Sequence, residues 1–166
     1  EDPLLDKGWV AITKYYSKKG RYKKSLYYIN KALNIDPENM VYWKLYAQLN
    51  FRLNFLEEAE RGYKKALELG DYELDTWLVR SDILLKLGEP EAAIYNLLQA
   101  SESYPENAEI EYRLAGLYFS LNETEKGEYH LKNGLSFNTE FAFIIEELFP
   151  KIYKKRQIRK LLKSKQ

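Results

Sequence analysis

Apolar residues along the chain recur at spacings of three and four, the pattern of amphipathic helices and not of strands. Trp43, Tyr46 and Ala47 mark one such stripe, and Ala59, Tyr63, Ala66 and Leu67 mark the next. Between stripes stand residues that stop helices. Gly20, Asn54, Gly88 and Asn122 can take a left-handed backbone and end a helix. Pro37 and Pro105 fall where a helix must stop. Pro-Glu-Asn at 37–39 and 105–107 makes Asn39 and Asn107 candidate N-caps, and Pro90 suits a first turn. The pattern predicts helix, short turn, helix and tight connector, repeated.

The repeat has a fixed period. Trp9, Trp43 and Trp77 are each 34 residues apart. The same shift carries Gly20 onto Asn54, Gly88 and Asn122, and Ala32 onto Ala66, Ala100 and Gly134. It carries Ser25 onto Ala59, Ala93 and Gly127, and Pro3 onto Pro37, Asp71 and Pro105. The small columns mark places where two helices approach closely.

These residues resemble the tetratricopeptide repeat (TPR) family, whose pattern is W-x2-L-G-x2-Y, then A-x3-F, an alanine and a proline. The units read Trp9, Ile12, Thr13, Tyr16, Ser25, Ile29, Ala32, Pro37; then Trp43, Tyr46, Ala47, Asn50, Ala59, Tyr63, Ala66, Asp71. The third reads Trp77, Arg80, Ser81, Leu84, Ala93, Leu97, Ala100, Pro105, and the divergent fourth Glu111, Leu114, Ala115, Tyr118, Gly127, Leu131, Gly134, Thr139. Pentatricopeptide (PPR) units fit less well, because the spacing of 34 never slips. The resemblance implies an all-α, right-handed α-solenoid of helix-turn-helix repeats with a C-terminal capping helix. Its units are residues 6–39, 40–73, 74–107 and 108–141, followed by a partial repeat and basic cap over 142–166.

Both ends carry signals. Asp2-Pro3 aligns with Asp36-Pro37, so residues 1–5 read as the end of a preceding repeat. No polar cap precedes the first unit, and the chain does not begin with Met, so the expectation is a processed or excised piece of a longer array. A removed targeting signal stays open. At the other end, Phe141 to Phe149 start a fifth first-type helix that Pro150 stops or kinks. Residues 151–163 then read as a short basic helix with Ile158, Leu161 and Leu162 as its apolar edge. A solvated cap is favoured over a basic arm for nucleic acid or lipid, since the cations read as scattered around the helix.

Charge and composition narrow the function. The chain of 166 residues has a formal net charge of +1, but residues after Glu147 carry eight cations and no acid, leaving −7 on the rest. There is no cysteine and one histidine, which excludes thiolate chemistry and argues against a histidine-based metal site or triad. No phosphate loop or nucleophile motif occurs, and His130 reads as a surface or edge residue. The expectation is no enzyme, no cofactor and no membrane span, in a soluble protein with the cytoplasm favoured.

The resemblance implies that a partner peptide or helix lies along the first helices of the pairs. Carried over by repeat position, the lining is Lys7, Val10, Lys14 and Lys18; then Val41, Lys44, Leu45, Gln48, Phe51 and Arg52. The third unit adds Asp75, Leu78, Asp82, Leu85 and Lys86, and the fourth Glu109, Tyr112, Arg113 and Phe119. Phe51, Leu85, Tyr112 and Phe119 are the expected apolar anchors, and the cations of the first two units suggest an acidic stretch in the partner. A clamp for chaperone C-terminal tails is not matched: its positions hold Val10, Lys14, Leu45, Asp82 and Lys86. Nucleic acid is disfavoured by the acidic body. Self-association through a face bearing Trp9 and Tyr16 is the alternative, with a basic-tail anchor as a third reading. Arg80 and Glu111 replace the family's Leu and Trp, either as an ion pair or each reaching solvent separately.

Overall fold

The computed structural model describes residues 5–164, and among these all regular structure is helical. Eight helices of 13 or 14 residues come first. They are α1 (Leu5–Lys18), α2 (Tyr22–Ile35), α3 (Met40–Arg52), α4 (Leu56–Glu68), α5 (Leu74–Lys86), α6 (Pro90–Ser103), α7 (Ala108–Ser120) and α8 (Thr124–Phe137). A 3-10 turn over Thr139–Ala142 leads to α9 (Phe143–Leu148), α10 (Pro150–Tyr153) and α11 (Arg156–Lys163). The chain divides into two compact units, Glu1–Thr76 and Trp77–Gln166, with the division inside α5. Asp2-Pro3, which carried the argument for an upstream repeat, and Lys165 lie outside the described residues.

The turns inside the helix pairs share one construction. Gly20, Asn54, Gly88 and Asn122 have φ of 72°, 61°, 76° and 60°. Each is followed by an amide that donates to a carbonyl of the last helical turn: Arg21 to Tyr16, Phe55 to Asn50, Glu89 to Leu84 and Glu123 to Tyr118, all at 2.9 Å. The period of 34 is therefore present in the hydrogen bonds as well as in the residue types. Asn39 and Asn107 cap α3 and α7 by accepting from the amides of Tyr42 (3.1 Å) and Ile110 (3.0 Å).

Where Pro37 and Pro105 stand in their connectors, Asp71 uses its carboxylate instead. It accepts from the Glu73 amide at 3.0 Å and the Thr76 hydroxyl at 2.7 Å, and Lys44 Nζ lies 3.3 Å away. An acid organises the entry to α5 where a proline ring would have restricted the backbone.

Close approach within the pairs falls on the small columns. Ser25, Ala32, Ala59, Ala66, Ala93 and Ala100 are all fully buried. Ser25 also donates its hydroxyl to the Thr13 carbonyl at 2.9 Å, tying α2 to α1. Around these contacts in the first unit sit Val10, Ile29, Leu33, Tyr42 and Leu49, with Trp9 and Trp43 packed alongside. On α8 the columns change to Gly127 and Gly134 for a steric reason. A Cβ on Gly127 would stand 2.5 Å from the Phe119 ring, and one on Gly134 would stand 3.0 Å from Tyr112. Large rings on α7 require glycine on α8.

The C-terminal segment differs from its sequence reading. The expected basic helix over 151–163 is broken at Lys154–Lys155 into α10 and α11, and the fifth first-type helix stops after six residues. Phe149 and Pro150 end it, and the Phe149 ring seats on Gly116 of α7, where a Cβ would lie 2.1 Å from the ring. Gly127→Ala should overpack the α7–α8 contact and cost about 1–3 kcal/mol in denaturant unfolding. Combining it with Phe119→Leu should recover most of that loss, whereas additive losses would reject the ring-on-glycine account.

Candidate functional site

The first unit holds an open recess of about 680 Å³, lined by Ser17 of α1, Leu45, Gln48, Leu49, Phe51 and Arg52 of α3, Tyr63 of α4 and Asp75 of α5. Leu45, Gln48, Phe51, Arg52 and Asp75, five of the residues expected to line a partner site, meet here. Phe51 is exposed at 37% and Gln48 is exposed beside it. The Arg52 guanidinium stands 5.6 Å from the Tyr22 ring centroid, which orients it without removing its charge. Burial, with a contribution from Asp75, pushes the Tyr63 phenol up to about 12, so it presents a neutral hydroxyl. Lys14 and Lys18 are exposed on α1, on the same helix as Ser17.

Lys44 occupies a different environment from the one expected of it. Its ammonium is 2.8 Å from Glu73 and 3.3 Å from Asp71, and its side chain is only 18% exposed. Burial pulls it down, but Glu73 and Asp71 outweigh burial and hold the ammonium above its ordinary value. Lys44 is a structural cation of the α3–α5 connection, not a free charge for a ligand.

In the second unit the expected site residues are largely engaged within the chain. Arg113 grips Asp82 with both arms, at 2.8 Å and 3.0 Å, and also donates to the Glu109 carbonyl at 3.2 Å. Leu85 is half-buried and Lys86 exposed. Tyr112 and Phe119 correct the expectation of apolar anchors: they are 0% and 5% exposed. Their rings rest on Gly134 and Gly127, and the Tyr112 hydroxyl donates to the Asn138 carbonyl at 2.9 Å. The reason extends along the helix. Gly116 shares the column of Lys14, Gln48 and Asp82, and Phe149 covers it, so every residue of α7 from Leu114 to Phe119 is buried.

The two family departures are also resolved. Glu111 accepts a partner other than Arg80: its Oε2 is 2.6 Å from His130 Nδ1, and each side chain is 13% exposed. His130 in turn stacks on Tyr118 at 5.3 Å. Arg80 donates to Asn96 Oδ1 at 2.8 Å, and Asn96 donates to the Trp77 carbonyl at 2.9 Å. The physical reason is register. The Trp/Glu column faces a position on the second helix of its own pair, held by Tyr28, Asn96 and His130, each 34 residues apart or a multiple of it. In the first unit that contact is a Trp9–Tyr28 stack at 5.7 Å, continued by Tyr28–Tyr16 at 5.6 Å. Lys31 sits 5.1 Å from the Trp9 ring and Lys24 4.5 Å from Tyr16, so the aromatic face suggested for self-association already carries the chain's own cations.

Ser17, Leu49 and Tyr63 belong to the recess but were not singled out in the sequence. Leu49 and Tyr63 are buried core positions, 2% and 5% exposed, and only the structure shows that they also border the recess. Among the described residues no helix is long and apolar enough to cross a membrane.

A family model described as tetratricopeptide repeat matches residues 7–39. No curated protein matches the chain. Among solved structures, a crystal structure of MamA protein is 18% identical with a TM-score of 0.79, covering 96% of this chain and 86% of that one. A fragment titled MamA 41-end from Desulfovibrio magneticus RS-1 is 14% identical at a TM-score of 0.74, covering 95% and 90%. YrrB, described as a TPR protein with an unusual peptide-binding site, is 14% identical at 0.70, covering 92% and 80%. At these identities the likeness establishes the fold, an all-α helical-repeat solenoid.

The Asp71 cluster makes a pH prediction. Burial raises this carboxyl, but the Glu73 amide, the Thr76 hydroxyl and Lys44 outweigh burial and hold it below the ordinary carboxylate range. A lowered folded-state value gives stability that is complete above the unfolded value of about 4 and is lost as pH falls through the folded value. Asp71→Asn should therefore cost roughly 1–3 kcal/mol at neutral pH. The gap from wild type should narrow below about pH 4 in chemical unfolding. A gap that stayed constant to acid would reject the role assigned to the charge.

Proposed function

We propose that this chain, a tetratricopeptide-repeat protein and thus a protein-interaction scaffold, holds an acidic peptide segment along α1 and in the α3 recess. The observation that carries this reading is the run of exposed cations on α1, the helix whose Ser17 lines the recess. From Lys7 to Ile35 the chain has eight cations and no acidic residue. Lys7, Lys14 and Lys18 are exposed at spacings of seven and four, which places them on one face of α1. Neither Lys14 nor Lys18 has a carboxylate partner among the described residues. Unpaired cations of this kind attract an anionic segment and fix its register.

The recess gives the segment a direction. Phe51 and Leu45 supply apolar contact, while Gln48 and the Tyr63 hydroxyl supply neutral hydrogen-bonding groups. Asp75 on the rim disfavours a carboxylate at its end. The segment that fits carries acids beside Lys14 and Lys18 and an apolar, non-acidic stretch beside Phe51 and Asp75. With Lys44 neutralised by Asp71 and Glu73, the attraction is concentrated on α1 and Arg52.

Fluorescence anisotropy with labelled peptides of matched length and opposite charge tests this. Acidic peptides ending in an apolar stretch should bind, and Lys14→Glu/Lys18→Glu should weaken them at least about tenfold at low salt. Lys23→Glu, which reverses an exposed cation on α2, should leave binding near wild type. Equal binding of acidic and basic peptides, or an equal effect of Lys23→Glu, would overturn the reading.

A further inference from the structure

The cations of the C-terminal helix are not scattered. Arg156, Arg159, Lys160 and Lys163 line a single open depression on α11. At about 100° per residue they fall within an arc of about 100° on the helix. Ile158 and Leu162, on the opposite side, are 3% and 6% exposed. Gln157 further fastens the helix by donating to Glu128 of α8 at 3.0 Å. The helix is thus docked through its apolar edge, and its basic face is held outward. No acidic residue follows Glu147 in the sequence, and none of the four cations has a carboxylate partner among the described residues.

We propose that this outward face of α11 is a docking site for an anionic lipid bilayer surface. The geometry favours a broad surface over a strand. A single-stranded nucleic acid is held in a groove whose aromatic rings stack its bases. Here the depression is lined by Arg156, Arg159, Lys160, Lys163 and Ser164 with no aromatic ring among its described lining, and the exposed Lys151, Lys154 and Lys155 widen the basic area around the α10–α11 turn. Phe143, 49% exposed, shares an adjoining recess with Arg159 and Lys163 and can enter the headgroup layer beside them. Glu140 and Glu146, which also line that recess, are acidic, so the attraction comes from the α11 cations alone. Because Ile158 and Leu162 are already packed inside, the helix inserts no apolar face. Attachment is electrostatic, reversible and salt-sensitive.

Each basic residue near an anionic leaflet contributes about fivefold to partitioning. Cosedimentation of the full chain with phosphatidylcholine vesicles, with and without phosphatidylserine, measures it. Binding is expected only to the anionic vesicles, and should vanish in high salt. Arg156→Gln/Arg159→Gln/Lys160→Gln/Lys163→Gln should reduce it at least about 100-fold. The charge-preserving variant Arg156→Lys/Arg159→Lys/Lys160→Arg/Lys163→Arg should restore it, and circular dichroism should report unchanged helix in both. No binding to phosphatidylserine vesicles at low salt overturns the proposal, as does binding that survives the neutral variant. Tighter binding of a single-stranded oligonucleotide than of the vesicles overturns it in favour of the strand.

Discussion

The structure depends on how closely two helices of a pair can lie. Their axes approach at positions where the side chain is a hydroxyl, a methyl or a hydrogen: Ser25, Ala59, Ala93 and Gly127 in one column, Ala32, Ala66, Ala100 and Gly134 in the other. Nearly all of these are completely buried, so no larger group could be accommodated without moving a helix. The left-handed turn that precedes each second helix sets the return angle, and the small residues then set the distance. Both features recur every 34 residues along the chain.

Relaxing that constraint in one place changes what the surface can offer. With glycine at 127 and 134, α7 carries Phe119 and Tyr112 turned into the pair, and with Gly116 it accepts Phe149 on its remaining side. The result is a helix enclosed from Leu114 to Phe119 by its own chain. The first unit keeps alanine and serine in those columns and keeps a recess on the corresponding face. Surface relief and packing thus trade against one another through three hydrogens.

Electrostatics is divided in a similar way. Lys44 with Asp71 and Glu73, Arg113 with Asp82, and the His130–Glu111 contact join segments within a unit and occupy these groups inside the chain. Two groups of cations stand outside these pairs, the lysines of α1 and the cations of α11. A near-zero formal charge therefore coexists with an uneven distribution of charge along the chain, acidic before residue 148 and basic after it.

The sequence by itself determined the period, the helix pairs, the left-handed turns at Gly20, Asn54, Gly88 and Asn122, and the caps at Asn39 and Asn107. These depend on residue types at fixed separations, where local sterics and hydrogen bonding decide. It also brought Gln48, Phe51 and Arg52 to one face. Only the tertiary structure decided which charged and aromatic residues stay available. Lys44 and Arg113 carry the same kind of charge as Lys14 on first helices of the pairs, Phe119 shares the repeat column of Phe51, and Tyr112 is an aromatic residue like Phe51. Their fate rests on a carboxylate or a glycine supplied by another helix. The same holds for α11, whose cations read as dispersed until Ile158 and Leu162 were packed inward and fixed the opposite face. Periodicity is a local property of the chain, whereas exposure and pairing are set by what folds back upon it.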